Sequence, residues 1–203
     1  MKHIRIIAVA GLLLMCLHAT SHAQEWFGLA TWNISFPVED TKKFVNDTSF
    51  RGFGLEFRKE FRPSTTFGIM GSWEVFHQRT SSTINLESGA ITGSQDRYIN
   101  SFPIMAGLHR YFGAEGGTRP YIGINGGGFI LIQTLRVGLA QIEDDTWEWG
   151  IMPEAGFIMP LDRGSGFIAN VRYNWALTGQ DLAGNDAQLT YWGVRVGFVW
   201  ERY

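Results

Sequence analysis

Eight stretches of this 203-residue chain alternate apolar and polar side chains with a period of two, and the segments joining them alternate strictly between short and long. A period of two is the signature of a strand with two unlike faces. The stretches run 26–36, 50–61, 66–78, 98–112, 120–132, 147–159, 167–177 and 189–201. In the first, Ala30, Trp32, Ile34 and Phe36 alternate with Thr31, Asn33 and Ser35; in the last, Trp192, Val194, Val196, Phe198 and Trp200 alternate with Gly193, Arg195 and Gly197. Segments 62–65, 113–119 and 160–166 are short; 37–49, 79–97, 133–146 and 178–188 are longer. An up-and-down closed barrel segregates its connections in this way, with short turns on one rim and long loops on the other. A soluble sandwich has no reason to. The expected fold is therefore all-β, a closed antiparallel barrel of about eight strands crossing a membrane.

Backbone chemistry explains why such a sheet closes. Hydrocarbon offers no partner to an unpaired N–H or C=O, and closure removes the free edges. Each stretch is near the 9–11 residues a tilted strand needs to cross a bilayer. Aromatics gather towards strand ends (Trp26, Trp32, Phe61, Phe112, Trp147, Trp149, Trp175, Tyr191 and Trp200) and are expected to form interfacial girdles. Pro103 and Pro153 fall inside strands, where a missing N–H is expected to require a β-bulge and to shift the alternation.

The start of the chain reads as an export signal. Lys2 and Arg5 precede the apolar run Ile6 to Leu17, and Ser21-His22-Ala23 supplies a small-x-small cleavage pattern, so residues 1–23 are expected to be removed after Ala23. The run is too short for a spanning helix. A lipoprotein reading on Cys16 places Met15 where a small residue belongs. Cleavage removes the single cysteine, leaving no thiol chemistry. Taking Lys2 and Arg5 from the 17 basic residues leaves 15 against 19 acidic ones, a formal charge near −4 that argues against a nucleic-acid partner.

The polar faces carry seven charges expected to point inwards: Glu56, Arg58, Glu74, Glu148, Glu154, Arg172 and Arg195. An eight-stranded barrel is barely wide enough to hold side chains, so opposite charges there should pair as a plug, with glycines making room. No catalytic set is expected. Of the two histidines beyond the signal, His77 lies near Ser81, Ser82 and Glu74, and a solvated rim histidine is the plainer reading; His109 falls on the polar face of its strand with Gly107 and Tyr111. Glu143-Asp144-Asp145 lacks the spacing of a calcium loop and reads as a solvated acidic loop. Gly126-Gly127-Gly128 opens no helix and cradles no phosphate. No cofactor and no metal are expected.

The stretches Phe102-Pro103-Ile104-Met105-Ala106-Gly107-Leu108 to Tyr111-Phe112, Arg119-Pro120-Tyr121-Ile122-Gly123, Gly126-Gly127-Gly128 and Val171-Arg172-Tyr173-Asn174 resemble the outer-membrane β-barrel domain family, small barrels similar to the OmpA and OmpX type. The resemblance covers residues 24–203. It implies a monomer in outer-membrane lipid, with short turns in the periplasm and long loops outside. It also implies that the last strand, with Gly197, Phe198, Trp200 and Tyr203, carries the signal read by the barrel-assembly machinery, although Tyr203 has the opposite parity to Phe198 and Trp200. The function expected is non-enzymatic: structural, adhesive or ligand-contacting through the outer loops, with the Ser- and Thr-rich segment 79–97 as the contact surface. A narrow pore for small or hydrophobic solutes is the alternative. A soluble periplasmic lipid-binding barrel is a further one, against which Gly28 and Trp32 have the wrong spacing for a lipocalin opening.

Overall fold

The computed structural model describes residues 26–86, 89–114, 116–137, 140–162, 164–177 and 187–202. The export-signal segment and Tyr203 lie outside them. Eight strands follow in chain order: β1 (Trp26–Pro37), β2 (Gly52–Arg62), β3 (Thr65–Leu86), β4 (Gly89–Tyr111), β5 (Arg119–Val137), β6 (Ala140–Asp162), β7 (Ser165–Ala176) and β8 (Thr190–Arg202). One short helix, α1 (Glu39–Phe44), interrupts the β1–β2 connection. No helix among the described residues is long and apolar enough to cross a membrane. Each strand pairs antiparallel with its neighbours, and β1 pairs with β8 from Trp26↔Arg202 to Pro37↔Tyr191, which closes the barrel.

The alternation read from the sequence is the alternation of the barrel wall. On β5, Ile122 and Ile124 are each 56% exposed, whereas Tyr121 and Asn125 are at 1% and 2%. Trp32, Phe53, Leu55, Phe57, Ile69, Ile104, Val171 and Phe198 likewise point outwards around the wall. Small outward residues are covered rather than bare: the Trp200 indole lies over Gly28, and that of Trp147 over Gly128, on adjacent strands. Tyr191 departs from the expected girdle. It is fully buried, faces the lumen and stacks edge-on against Phe76.

The prolines do not bulge. Around Pro103, β3 and β4 pair as Gly71↔Ile104 and resume as Glu74↔Ser101 in the same register. Around Pro153, β6 and β7 pair as Ile151↔Trp175 and resume as Glu154↔Arg172. Each ring omits two rungs on one side and keeps its pairing on the other, to Phe129 and Ile124 respectively. Losing one N–H costs hydrogen bonds locally. A bulge would move every following side chain to the wrong face, a larger cost. The register shifts sit instead at two tight turns, Glu60/Arg62 and Pro160/Asp162.

Two expected loops are strand. Segment 79–97 is a hairpin: β3 and β4 pair from Arg79↔Asp96 to Leu86↔Gly89. Segment 133–146 is another, paired from Gln133↔Asp144 to Val137↔Ala140. Glu143, Asp144 and Asp145 therefore lie on β6 opposite Thr134, Gln133 and Ile132, not in a loop. Neither segment contains an aromatic residue to mark an outer face, although backbone pairing proceeds. β3 to β6 thus run 19–23 residues, against 11–13 for the other four. The wall is tall on one side and low on the other. Over the low side sits α1, held by Thr41 Oγ1 accepting the Thr190 N–H (2.7 Å), Thr190 Oγ1 donating to the Val38 carbonyl (3.0 Å) and Arg97 donating to the Phe44 carbonyl (3.2 Å).

Candidate functional site: the lumen and its mouth

All seven expected lumen charges are buried and face inwards. They do not form one cluster. Four of them close a ring across the barrel. Arg58 on β2 reaches Glu56 Oε1 (2.6 Å) and Glu154 Oε1 (2.8 Å), and Arg195 on β8 reaches Glu154 Oε2 (2.7 Å) and Glu56 Oε2 (3.3 Å). Each carboxylate touches both guanidiniums and each guanidinium both carboxylates. The geometry suits arginine, whose planar fork presents several donors at once. Neutral groups extend the ring: Arg58 donates to the Tyr111 hydroxyl (2.7 Å), Asn170 donates to that of Tyr121 (2.6 Å), and Arg195 Nε donates to Asn170 Oδ1 (3.0 Å). Six strands are tied together at this level.

A second group sits nearer the long-hairpin rim. Arg172 on β7 pairs with Glu74 on β3, and Glu74 also accepts from Asn33 Nδ2 on β1 (3.0 Å), Ser72 Oγ (3.3 Å) and the Tyr191 hydroxyl (3.5 Å). Between them the two groups reach all eight strands. Glycines make the space. A Cβ on Gly68 would lie 3.1 Å from Glu56 Oε1 and 3.2 Å from Arg58 Cγ; one on Gly193 would lie 3.0 Å from Arg172 Nε; one on Gly123 would overlap the His109 ring.

Sequence reasoning missed two parts of the interior. His109 is fully buried beside the ring, with Nε2 3.1 Å from Glu154 Oε1 and 3.5 Å from Glu56 Oε1. Its inward parity opposite Leu108 was the available signal. The lumen also has apolar layers. Leu29, Tyr111, Tyr121, Ile168 and Val199 fill the short-turn end, and Met70, Phe76, Met105, Phe129, Leu131 and Met152 pack on the other side of the charges. An alternation that equates apolar with outward leaves these residues unmarked.

Glu56, His109 and Glu154 place three ligand-type atoms within 4.8 Å of one another. They do not suit a metal. Both carboxylates already face two guanidiniums, and a divalent ion would add positive charge to a buried site that is balanced without it. His77 forms no catalytic set with Glu74: it lies on the outer side, stacked on Tyr98 at 4.3 Å, while Glu74 faces the lumen. The side chains of Ser81 and Ser82 lie outside the described residues.

Glu148 stands apart from the other six. It is on β6, one alternation from Gly150, at the mouth where β4, β5 and β6 face α1. Its residue is 3% exposed, and its Oε2 has no hydrogen-bond partner. At the rim above it, Asp40 and Lys43 of α1 pair at 2.6 Å; that bond lowers the Asp40 carboxyl below its ordinary range and raises the Lys43 ammonium above its own. Of the expected assembly-signal residues, Phe198 and Trp200 face outwards at the end of β8, and Gly197 lies where a Cβ would strike the Ala30 carbonyl of β1.

Neither a protein-family model nor a curated protein matches the chain. Solved structures do. Neisserial surface protein A is similar at a TM-score of 0.56 and 10% identity, covering 90% of this chain and 99% of its own. The N-terminal β-barrel domain of Pseudomonas aeruginosa OprF gives 0.52 and 12%, covering 88% and 97%. The Pseudomonas aeruginosa outer membrane protein OprG gives 0.52 and 16%, covering 89% and 97%. At such identities the likeness is one of fold. By its closed ring of eight antiparallel strands and by these likenesses, the chain has the fold of the small outer-membrane β-barrels.

Proposed function

We propose that the protein is an integral outer-membrane barrel, exported through residues 1–23, whose work is done by its long-hairpin rim facing the exterior. One observation carries this reading: large apolar side chains girdle the closed wall on the outside while Glu56, Arg58, Glu74, Glu148, Glu154, Arg172 and Arg195 are buried inside. Exposed apolar surface on this scale is unstable in water and suited to acyl chains. A soluble lipid carrier would need the reverse, an apolar lumen inside a wet wall.

The role is non-enzymatic: structural, adhesive or ligand-contacting. The contact surface is formed by the β3–β4 and β5–β6 hairpins and α1, rather than by a loop over 79–97. Conduction is a weaker reading, because charged and apolar layers succeed one another across the lumen. The last strand, with Phe198 and Trp200 outward, would present the assembly signal to the barrel-assembly machinery, and the folded product would be a monomer in lipid. Outer-membrane fractionation combined with gel migration before and after heating tests the reading. The expected result is an outer-membrane protein whose unheated form migrates anomalously; a soluble protein with unchanged migration contradicts it.

A further inference from the structure

Among the described residues, the fully buried charges of the lumen balance except at one position. Glu56, Glu74 and Glu154 face Arg58, Arg172 and Arg195, three acids against three bases, all in contact. Glu148 is the remaining acid. Its carboxylate is buried, Oε2 has no partner, and among the described residues no basic group forms an ion pair with it. Two bases stand at the mouth: Lys43 lines the same cavity but is paired with Asp40 and its side chain is 78% exposed, and Arg97 lies over the Phe44 ring and donates to the Phe44 carbonyl and Gln95. A buried carboxylate without a counter-charge costs free energy that an arriving cation recovers.

Glu148 also borders a space for such a cation. A cavity of about 240 Å³ opens at the mouth, with Phe44, Ile99 and Leu189 as apolar walls and Gln133 beside Glu148 as a polar one. The volume lies below the range of pockets that hold drug-sized ligands, so the occupant is small. Two features exclude a metal ion: there is one free carboxylate rather than a set, and half of the lining is hydrocarbon. We infer that this vestibule binds a small organic ammonium, its N–H groups on Glu148 and its apolar body between Phe44, Ile99 and Leu189. This deepens the ligand-contacting part of the proposed function and rests on it for the direction from which the ligand arrives.

Benzylammonium is the probe, titrated into the 15N-labelled full barrel in detergent micelles and followed by amide shifts, with benzyl alcohol as its uncharged isostere. The expected result is saturable shifts in β4, β5, β6 and α1, at least tenfold weaker binding in Glu148→Gln, and weak binding of the alcohol. Glu148→Gln keeps the shape and removes an unpaired charge, so it should fold. Equal binding of alcohol and ammonium, unchanged affinity in Glu148→Gln, or no saturable shift overturns the inference. Heated and unheated gel migration and vesicle insertion on the same sample separate the two readings. An inserted barrel that ignores the amine overturns the site alone. A soluble protein that binds it overturns the membrane reading and keeps the site.

Discussion

Glu154 and Glu148 lie on the same strand, six residues apart, both buried and both facing the lumen, yet their surroundings differ in kind. Glu154 touches two guanidiniums and the His109 ring; Glu148 has no ion pair and borders a cavity. A buried charge is therefore not one kind of feature. Where partners converge from several strands it fixes the wall, and where they do not it is left for something from outside. The height of the wall decides which. In the middle of the barrel all eight strands are present to supply partners, whereas near Glu148 strand β7 ends, at Ala176 opposite Gly150.

The largest effect expected from this contrast is at Glu154. Glu154→Ala leaves Arg58 and Arg195 sharing the single carboxylate of Glu56 in a dry interior and should lower unfolding stability by about 3–5 kcal/mol, read from urea titration in lipid vesicles. A change below about 1 kcal/mol would mean that water reaches the ring and that the two glutamates differ less than the geometry implies. Arg172→Gln comes next, at about 3 kcal/mol, because Glu74 keeps its donors from Asn33, Ser72 and Tyr191. Planar-bilayer recording of the same variant should show no steady conductance, since the apolar layers remain.

Gly123→Ala sharpens the comparison without touching a charge. Its Cβ would overlap His109 and disturb the ring beside Glu56 and Glu154, at a cost of about 1–3 kcal/mol. Glu148→Gln should act in the opposite sense, raising stability by about 1 kcal/mol by removing an unpaired buried charge. If it instead destabilises as Glu154→Ala does, Glu148 belongs to the wall and the contrast fails.

How much of this was legible beforehand depends on what each face meets. Where one face meets acyl chains and the other a packed lumen, as on β1, β2, β7 and β8, alternation gave strand and facing together. Segment 79–97 is largely Ser, Thr, Gly and charged or amide residues, so little distinguished its faces, although its threonines and isoleucines favour strand. The charges were legible as inward residues, but their grouping was not: Glu56, Arg58, Glu154 and Arg195 converge only because the barrel closes, and sequence distance does not report that. The inward Met70, Phe76 and Phe129 were masked by the assumption that a lumen is uniformly polar, and His109, whose parity is inward, was passed over because its partners Glu56 and Glu154 lie on distant strands.

The smallest expected effect is at the mouth, on α1. The Lys43 ammonium holds the Asp40 carboxyl below its ordinary value. A depressed carboxyl contributes stability that is present above its unfolded value of about 3.9 and lost as pH falls through the depressed one. Both groups are exposed, so the contribution is minor and screened by salt. An NMR titration of Asp40 should show its midpoint rise towards the ordinary value in Lys43→Ala; an unchanged midpoint would separate α1 from the electrostatics of the vestibule.

The facing of the wall can be read directly with a photoreactive carbene reagent confined to the lipid phase, followed by mass spectrometry of the labelled barrel. Labelling should fall on Trp32, Leu55, Ile124 and Val194 and spare their neighbours Asn33, Glu56, Asn125 and Arg195. Labelling of the second set, or of neither, would contradict a barrel that turns its hydrocarbon to the membrane and its charges to itself.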